Sequence, residues 1–181
     1  CDENPIHEDN KHYLSVKAAA NGYIRNLGFN TGIYIEAGKK YDFSIFARTG
    51  QQVKVCVKTD DGQMCTNVIT IDVSNAAGNW TKYEAVLEGE ATSYNGRLYL
   101  EFEEGSYELD MISLFPQDTF KGRKGGLRKD IGEALAEMKP KFMRFPGGCL
   151  THDGSLNSHD RNSMYRWIRT IGKVEERPSW R

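Results

Sequence analysis

The sequence lacks a long apolar run and any excess of charge of one sign, and both absences exclude classes of function. No stretch approaches the roughly 18 apolar residues that cross a bilayer, and no apolar targeting segment opens the chain. The 24 basic and 25 acidic residues leave a formal net charge of -1. No overall field therefore attracts nucleic acid or an anionic membrane, and we expect neither as a partner.

The cysteines are few and do not form a metal-binding pattern. The four are spaced irregularly without a Cys-x-x-Cys pair, which argues against zinc. In the alternating run at residues 53–57, Cys56 falls on the polar face, whereas Cys65 shares its face with Ile69 and Ile71. A disulfide between Cys56 and Cys65 is therefore not expected, and the redox compartment stays open.

The 181 residues, 39% of them hydrophobic, suffice for one domain and part of a second. They are too few for a complete (β/α)₈ barrel of about 250 residues. Up to about Pro116, short runs alternate between apolar and polar residues, as in Tyr41, Phe43, Ile45 and Ala47. Turn signals separate these runs at residues 36–39, 60–63, 77–79 and 95–96. This pattern predicts an antiparallel β-sandwich of jelly-roll type over residues 13–115.

After Pro116 the pattern changes from all-β to α/β. Residues 117–126 are polar and contain glycine, as domain junctions often do. Apolar residues then recur at three- and four-residue spacing, which predicts a helix over residues 127–139 that ends at Pro140. The apolar run at residues 141–145 predicts a buried strand. We therefore predict a sandwich domain at residues 1–117 and an incomplete α/β domain at residues 118–181.

The segment from Arg144 to Cys149 is the most informative for chemistry. A cation near the end of a buried strand precedes a turn with few side chains, Pro146-Gly147-Gly148. In a (β/α)₈ barrel the active site lies at the carboxyl ends of the strands. An equally weighted alternative is a turn in which the glycines serve geometry and Arg144 pairs with a nearby carboxylate.

Several motifs in order resemble the family 51 α-L-arabinofuranosidases, at residues 125–130, 134–149, 165–167, 170–172 and 175–178. Ile168 and Lys173 depart from the family pattern. Some members carry a carbohydrate-module-like β-sandwich inserted after the first barrel strand, and Asn4-Pro5, residues 12–14 and residues 41–44 look like that insert. The resemblance implies a sandwich followed by the start of a TIM barrel, whose first strand lies upstream of Cys1.

The resemblance also implies roles for individual residues. Arg144 would lie against the nucleophilic carboxylate, and Cys149 would contact the arabinose ring. Gly147 and Gly148 would shape the turn, and Trp167 would pack beneath the site. A fixed guanidinium orients a carboxylate and keeps it ionised, as a nucleophile requires.

The resemblance further implies a retaining enzyme that releases terminal non-reducing arabinofuranosyl residues from arabinan or arabinoxylan. Such enzymes use two carboxylates about 5–5.5 Å apart. In the family both are glutamates on later barrel strands, and neither is matched here. We therefore expect this chain alone to be inactive. The implied partner is an arabinose-containing polysaccharide or oligosaccharide, no cofactor is expected, and an extracellular or periplasmic location is favoured.

Two other functions remain open from the sequence: a stand-alone carbohydrate-binding module, and a structural sandwich without a ligand. Trp80, Tyr94 and Tyr99 are candidates for stacking on sugar rings, although aromatic residues in a sandwich more often belong to the core. Asp110 is a candidate calcium ligand, because the strand around it resembles the closing strand of calcium-containing carbohydrate modules. No other metal ligand is predicted.

Overall fold

The computed structural model describes residues 1–28, 30–144 and 170–177. The chain divides into two compact units. The larger unit comprises residues 14–134, and the smaller comprises residues 1–13 together with residues 135–181. No helix among the described residues is long and apolar enough to cross a membrane. The domain boundary predicted between residues 117 and 118 stays a prediction.

Two antiparallel sheets form the larger unit. The first contains β1 (Leu14–Ala18), β4 (Lys40–Thr49), β7 (Thr81–Glu88) and β9 (Gly105–Pro116). The second contains β2 (Gly22–Asn26), β3 (Ile33–Ile35), β5 (Gln52–Lys58), β6 (Ile69–Asp72) and β8 (Ser93–Phe102). The strand orders are β1-β9-β4-β7 and β2-β8-β5-β6, and β3 also pairs with β8. The predicted antiparallel β-sandwich is therefore confirmed.

The core lies between the sheets and follows the predicted alternation. The inward residues of β4 are buried, and they meet the buried valines of β5 from the opposite sheet: Tyr41, Phe43, Ile45, Ala47, Val53, Val55 and Val57. Cys65 belongs to this core, whereas Cys56 lies opposite Tyr99 outside the core cluster. Both thiols are free and buried, on the faces that the alternation predicted.

Three of the four predicted turns are confirmed. Gly38, Gly62 and Gly78 lie between strands with positive φ angles of 78°, 89° and 83°. The fourth prediction, a turn at Asn95-Gly96, is wrong because both residues lie within β8. The register of β3 on β8 shifts between Ile33 and Ile35. A glycine serves this close strand contact rather than a turn.

Substituting Gly96 tests that explanation. A Cβ at Gly96 would lie 2.7 Å from Val57 Cγ1 and 2.9 Å from the Ile33 carbonyl oxygen. We expect Gly96→Ala to lower the free energy of unfolding by about 1–3 kcal/mol through overpacking. The control is Gly105→Ala, whose new Cβ would meet Tyr107 at an ordinary 3.6 Å. Urea unfolding midpoints compare the two variants, and equal midpoints would contradict the packing role of Gly96.

The predicted helix is confirmed as α1 (Lys129–Glu137), two residues shorter at each end. Gly132 faces Phe120, where a Cβ would lie 2.5 Å from the Phe120 ring. Three short 3₁₀ helices complete the described elements, at Ser74–Ala76, Phe120–Gly122 and Val174–Glu176.

The strand predicted at residues 141–145 is wrong for residues 141–144, which are irregular, and residue 145 lies outside the described residues. Phe142 is 86% exposed. A parallel barrel strand is stable only when neighbouring strands and helices bury both of its faces. No described strand pairs with these residues, so the TIM-barrel segment is not confirmed.

Candidate functional site

The site predicted at the end of the barrel strand is only partly described. Arg144 is exposed to solvent. Gly147, Gly148, Cys149 and Trp167 lie outside the described residues. The roles of all five residues stay predictions.

Of the three aromatic residues proposed for sugar stacking, only Tyr94 presents most of its ring to solvent. Tyr99 is 6% exposed, because the Lys58 ammonium lies 4.4 Å from its ring centroid and the Tyr23 ring lies 5.3 Å away. Trp80 is half-buried, with the Arg48 guanidinium 5.3 Å from its ring centroid. Tyr94 is 71% exposed.

Tyr94 forms an exposed aromatic pair with Tyr34. The ring centroids lie 4.9 Å apart with an angle of 35° between the planes, and Tyr34 is 46% exposed. In β3 the side chains alternate, so Ile33 and Ile35 pack against the core and Tyr34 points outward. Tyr34 was not predicted from the sequence, although the alternation in Ile33-Tyr34-Ile35 indicates an outward-facing tyrosine on a strand.

Hydrogen bonds hold the segment before β3 against β8. Arg97 Nη1 donates to the carbonyl oxygens of Leu27 and Thr31, at 2.7 and 2.9 Å. Arg97 Nη2 donates to Asp60 at 3.2 Å. The Thr31 hydroxyl donates to the Tyr94 carbonyl oxygen at 3.5 Å. These bonds fix the backbone on both sides of the aromatic pair.

Beside the pair lies an open cleft of about 750 Å³ within the larger unit. Its apolar lining comes from the inner ends of the strands, namely Ile33, Tyr41, Leu114 and Pro116. Its polar lining comes from the β3–β4 turn with the first residue of β4, from Asp118 after β9, and from residues at the start of α1 or just before it: Glu36, Lys39, Lys40, Asp118, Arg128, Lys129, Asp130 and Glu133. An apolar floor with a few converging polar groups is typical of small-ligand sites. We refer to it as the Tyr34–Tyr94 cleft.

Charges in this cleft neutralise one another. Lys39 Nζ donates to Asp118 Oδ2 at 2.9 Å, and Lys129 Nζ lies 3.4 Å from Asp118 Oδ1. Hydrogen bonds from Lys39 first and Lys129 second hold the pKa of the Asp118 carboxyl below its usual value. Arg128 donates two bonds to Asp130, at 2.8 and 2.7 Å. The described lining holds four acidic and four basic residues, which suits an uncharged ligand better than an anion.

Asp110 has the geometry of a local backbone acceptor. Its Oδ1 accepts the Met111 N–H at 2.8 Å. Burial raises the pKa of the Asp110 carboxyl, and the Met111 bond opposes this shift. Within the described part of the chain, no group of three His, Cys, Asp or Glu residues could hold a metal ion. The proposed calcium role of Asp110 stays untested.

Comparisons with known proteins agree on one family. Residues 134–181 match the Alpha-L-arabinofuranosidase 1 domain. An extracellular exo-alpha-L-arabinofuranosidase of Streptomyces chartreusis is 40% identical over 182 residues, which cover 97% of this chain and 22% of that protein. Alpha-L-arabinofuranosidase 1 of Arabidopsis thaliana is 34% identical, covering 86% of this chain and 22% of that protein.

A solved structure also overlaps the chain weakly. The CBM22-1-GH10 modules of xylanase 10B from Clostridium thermocellum match 61% of this chain and 23% of that chain, with 19% identity and a TM-score of 0.43. The chain spans about a fifth of the length of the two enzymes it resembles. The sequence matches confirm the predicted resemblance: this chain is similar in sequence to α-L-arabinofuranosidases.

Proposed function

We propose that the chain is part of a retaining α-L-arabinofuranosidase that releases terminal non-reducing arabinofuranosyl residues from arabinan or arabinoxylan. One observation carries the proposal: the 40% identity to the Streptomyces exo-enzyme extends over nearly the whole chain. The part that matches the arabinofuranosidase domain includes the segment from Arg144 to Cys149.

In this proposal, Arg144 orients the nucleophilic carboxylate of a double-displacement reaction and keeps it ionised. The nucleophilic carboxylate must be ionised to attack the anomeric carbon, and an adjacent guanidinium favours the ionised form and fixes its orientation. Gly147 and Gly148 would shape the turn. Cys149 would contact the arabinose ring, and Trp167 would pack beneath the site. The chemistry needs two carboxylates and no cofactor.

The acidic residues described near Arg144 in sequence have other roles. Glu137 is exposed on α1, and Glu176 is exposed with its Oε1 3.3 Å from Lys173 Nζ. Solvated or surface ion-paired carboxylates of this kind contribute little free energy. The resemblance implies instead that the nucleophile and the acid/base are glutamates on later barrel strands of the full-length protein.

The proposed partner is an arabinose-containing polysaccharide or oligosaccharide met outside the cell. The Streptomyces relative carries "extracellular" in its name, and the formal charge of -1 gives this chain no attraction to a polyanion. Neither nucleic acid nor a membrane is part of the proposal.

The stereochemistry of hydrolysis tests the proposal on the full-length protein. Proton NMR would follow the first anomer of arabinose released from a chromogenic α-L-arabinofuranoside. A retaining enzyme is expected to release the α-anomer first, since two inversions restore the starting configuration. First release of the β-anomer would refute retention. No release from the chromogenic substrate, arabinan or arabinoxylan would refute the activity and favour a stand-alone binding module.

A further inference from the structure

We propose that the Tyr34–Tyr94 cleft binds an uncharged sugar chain. The inference rests on the proposed function for the identity of the sugar, an arabinose-bearing polysaccharide. The site itself is argued from the described residues of the sandwich. It assigns a ligand-binding role to the sandwich in addition to the chemistry proposed around Arg144.

The aromatic pair supplies the first part of the argument. The Tyr94 side chain is 71% exposed and that of Tyr34 is 46% exposed, although burial of such rings is favourable in folding. An aromatic face carries negative charge density, and the C–H groups on one face of a sugar ring are apolar and weakly positive. The 4.9 Å separation of the rings lets one sugar chain contact both. The pair therefore suits stacking against sugar rings.

The polar wall supplies the second part. Desolvation first, then the nearby Glu36 carboxylate, raise the pKa of the Tyr34 hydroxyl, which keeps its proton beside Glu36. Lys40 and Glu133 add a donor and an acceptor to the lining. Sugar hydroxyls need both. An anionic ligand would instead compete with Asp118 and Asp130 for Lys39, Lys129 and Arg128.

The backbone around the cleft is fixed before any ligand binds. The Glu36 N–H donates to the Tyr41 hydroxyl at 2.8 Å, and the Ala37 N–H donates to Thr92 Oγ1 at 3.1 Å. Arg97 fastens the segment before β3 on the other side of the pair. Little ordering is needed on binding, so weak stacking contacts can yield measurable affinity.

Affinity electrophoresis of the full-length protein tests the proposal, with soluble arabinoxylan or arabinan in the gel. Tyr94→Ala is expected to raise the dissociation constant about tenfold, which corresponds to about 1.4 kcal/mol. Tyr94→Phe keeps the ring and is expected to bind like the wild type. The matched control is Tyr23→Ala, which removes another exposed tyrosine, on β2. It is expected to leave retardation unchanged.

The outcomes separate this inference from the proposed enzymatic function. The same wild-type preparation is assayed on a chromogenic arabinofuranoside. Retardation that depends on Tyr94 supports the cleft even if hydrolysis is absent, in which case the enzymatic proposal fails alone. Three outcomes would overturn the cleft assignment. The wild type could hydrolyse the substrate without being retarded, or Tyr94→Ala could be retarded as strongly as the wild type. The third outcome is retardation only by polygalacturonate, an anionic polysaccharide.

Discussion

Arg144→Ala in the full-length protein is expected to lower kcat/KM for a chromogenic arabinofuranoside by about a hundredfold or more. The loss corresponds to roughly 3 kcal/mol of transition-state stabilisation. In the proposed site the guanidinium orients the nucleophilic carboxylate and keeps it ionised. Without it, the carboxylate loses both its orientation and the charge that lowers its pKa. The loss should therefore deepen as the pH falls towards the raised pKa of the nucleophile.

Two controls separate catalysis from folding. Arg144 is proposed to act on the nucleophile and belongs to no described core cluster, so its removal is expected to leave the thermal unfolding midpoint close to that of the wild type. Arg123→Ala removes another exposed arginine from the segment before α1 and is expected to retain wild-type kcat/KM. Arg144→Lys keeps the charge but loses the two-pronged geometry, so an intermediate rate is expected. An unimpaired Arg144→Ala enzyme would overturn the site assignment.

The sandwich could be predicted because its information is local. Alternation in β4 sends Tyr41, Phe43 and Ile45 to one face, and a one-residue slip would expose all three. Glycines such as Gly62 then mark where the chain must turn. Helix α1 was predicted for the same reason, since its apolar spacing and Pro140 are read within one segment.

Long-range contacts explain what the sequence did not predict. Gly96 looks like a turn residue, and only the pairing of β3 with β8 shows that it permits a close strand contact. The Tyr34–Tyr94 pair spans sixty residues of sequence and depends on the same pairing. The strand prediction at residues 141–144 was wrong because an expected long-range contact is absent among the described residues. The apolar run there has strand character, but no described neighbouring strand buries it.

The Arg144 segment could be identified from the sequence, whereas the Tyr34–Tyr94 cleft could not. The Arg144 segment was found through a motif whose order is readable along the chain, but its geometry depends on residues outside those described. The cleft has no sequence motif, because its polar residues come from separate segments: the turn at residues 36–39, Asp118 and the start of α1. The assignment of sugar binding to the cleft rests on the geometry of the described residues, and the catalytic assignment of Arg144 rests on the family resemblance. The two assignments therefore need separate tests.

The last prediction is that the 181-residue chain alone shows no hydrolysis of a chromogenic arabinofuranoside, although it contains Arg144 and Cys149. A retaining glycosidase needs a nucleophile and an acid/base about 5–5.5 Å apart. The resemblance places both on later barrel strands, and the chain spans only 22% of its Streptomyces relative. If this implication holds, Arg144 in the 181-residue chain is expected to lack a nucleophile to orient.

The measurement compares equal concentrations of the purified chain and the full-length protein on the same substrate. Circular dichroism dominated by strand would first establish that the isolated sandwich is folded, so that inactivity is not a consequence of unfolding. Binding of arabinoxylan by the purified chain is then compared with its lack of turnover. The chain is expected to be retarded by arabinoxylan through Tyr34 and Tyr94 while turning over no substrate. Turnover by the purified chain would show that its own residues include a sufficient pair of carboxylates, and the assignment of catalysis to later strands would then be wrong.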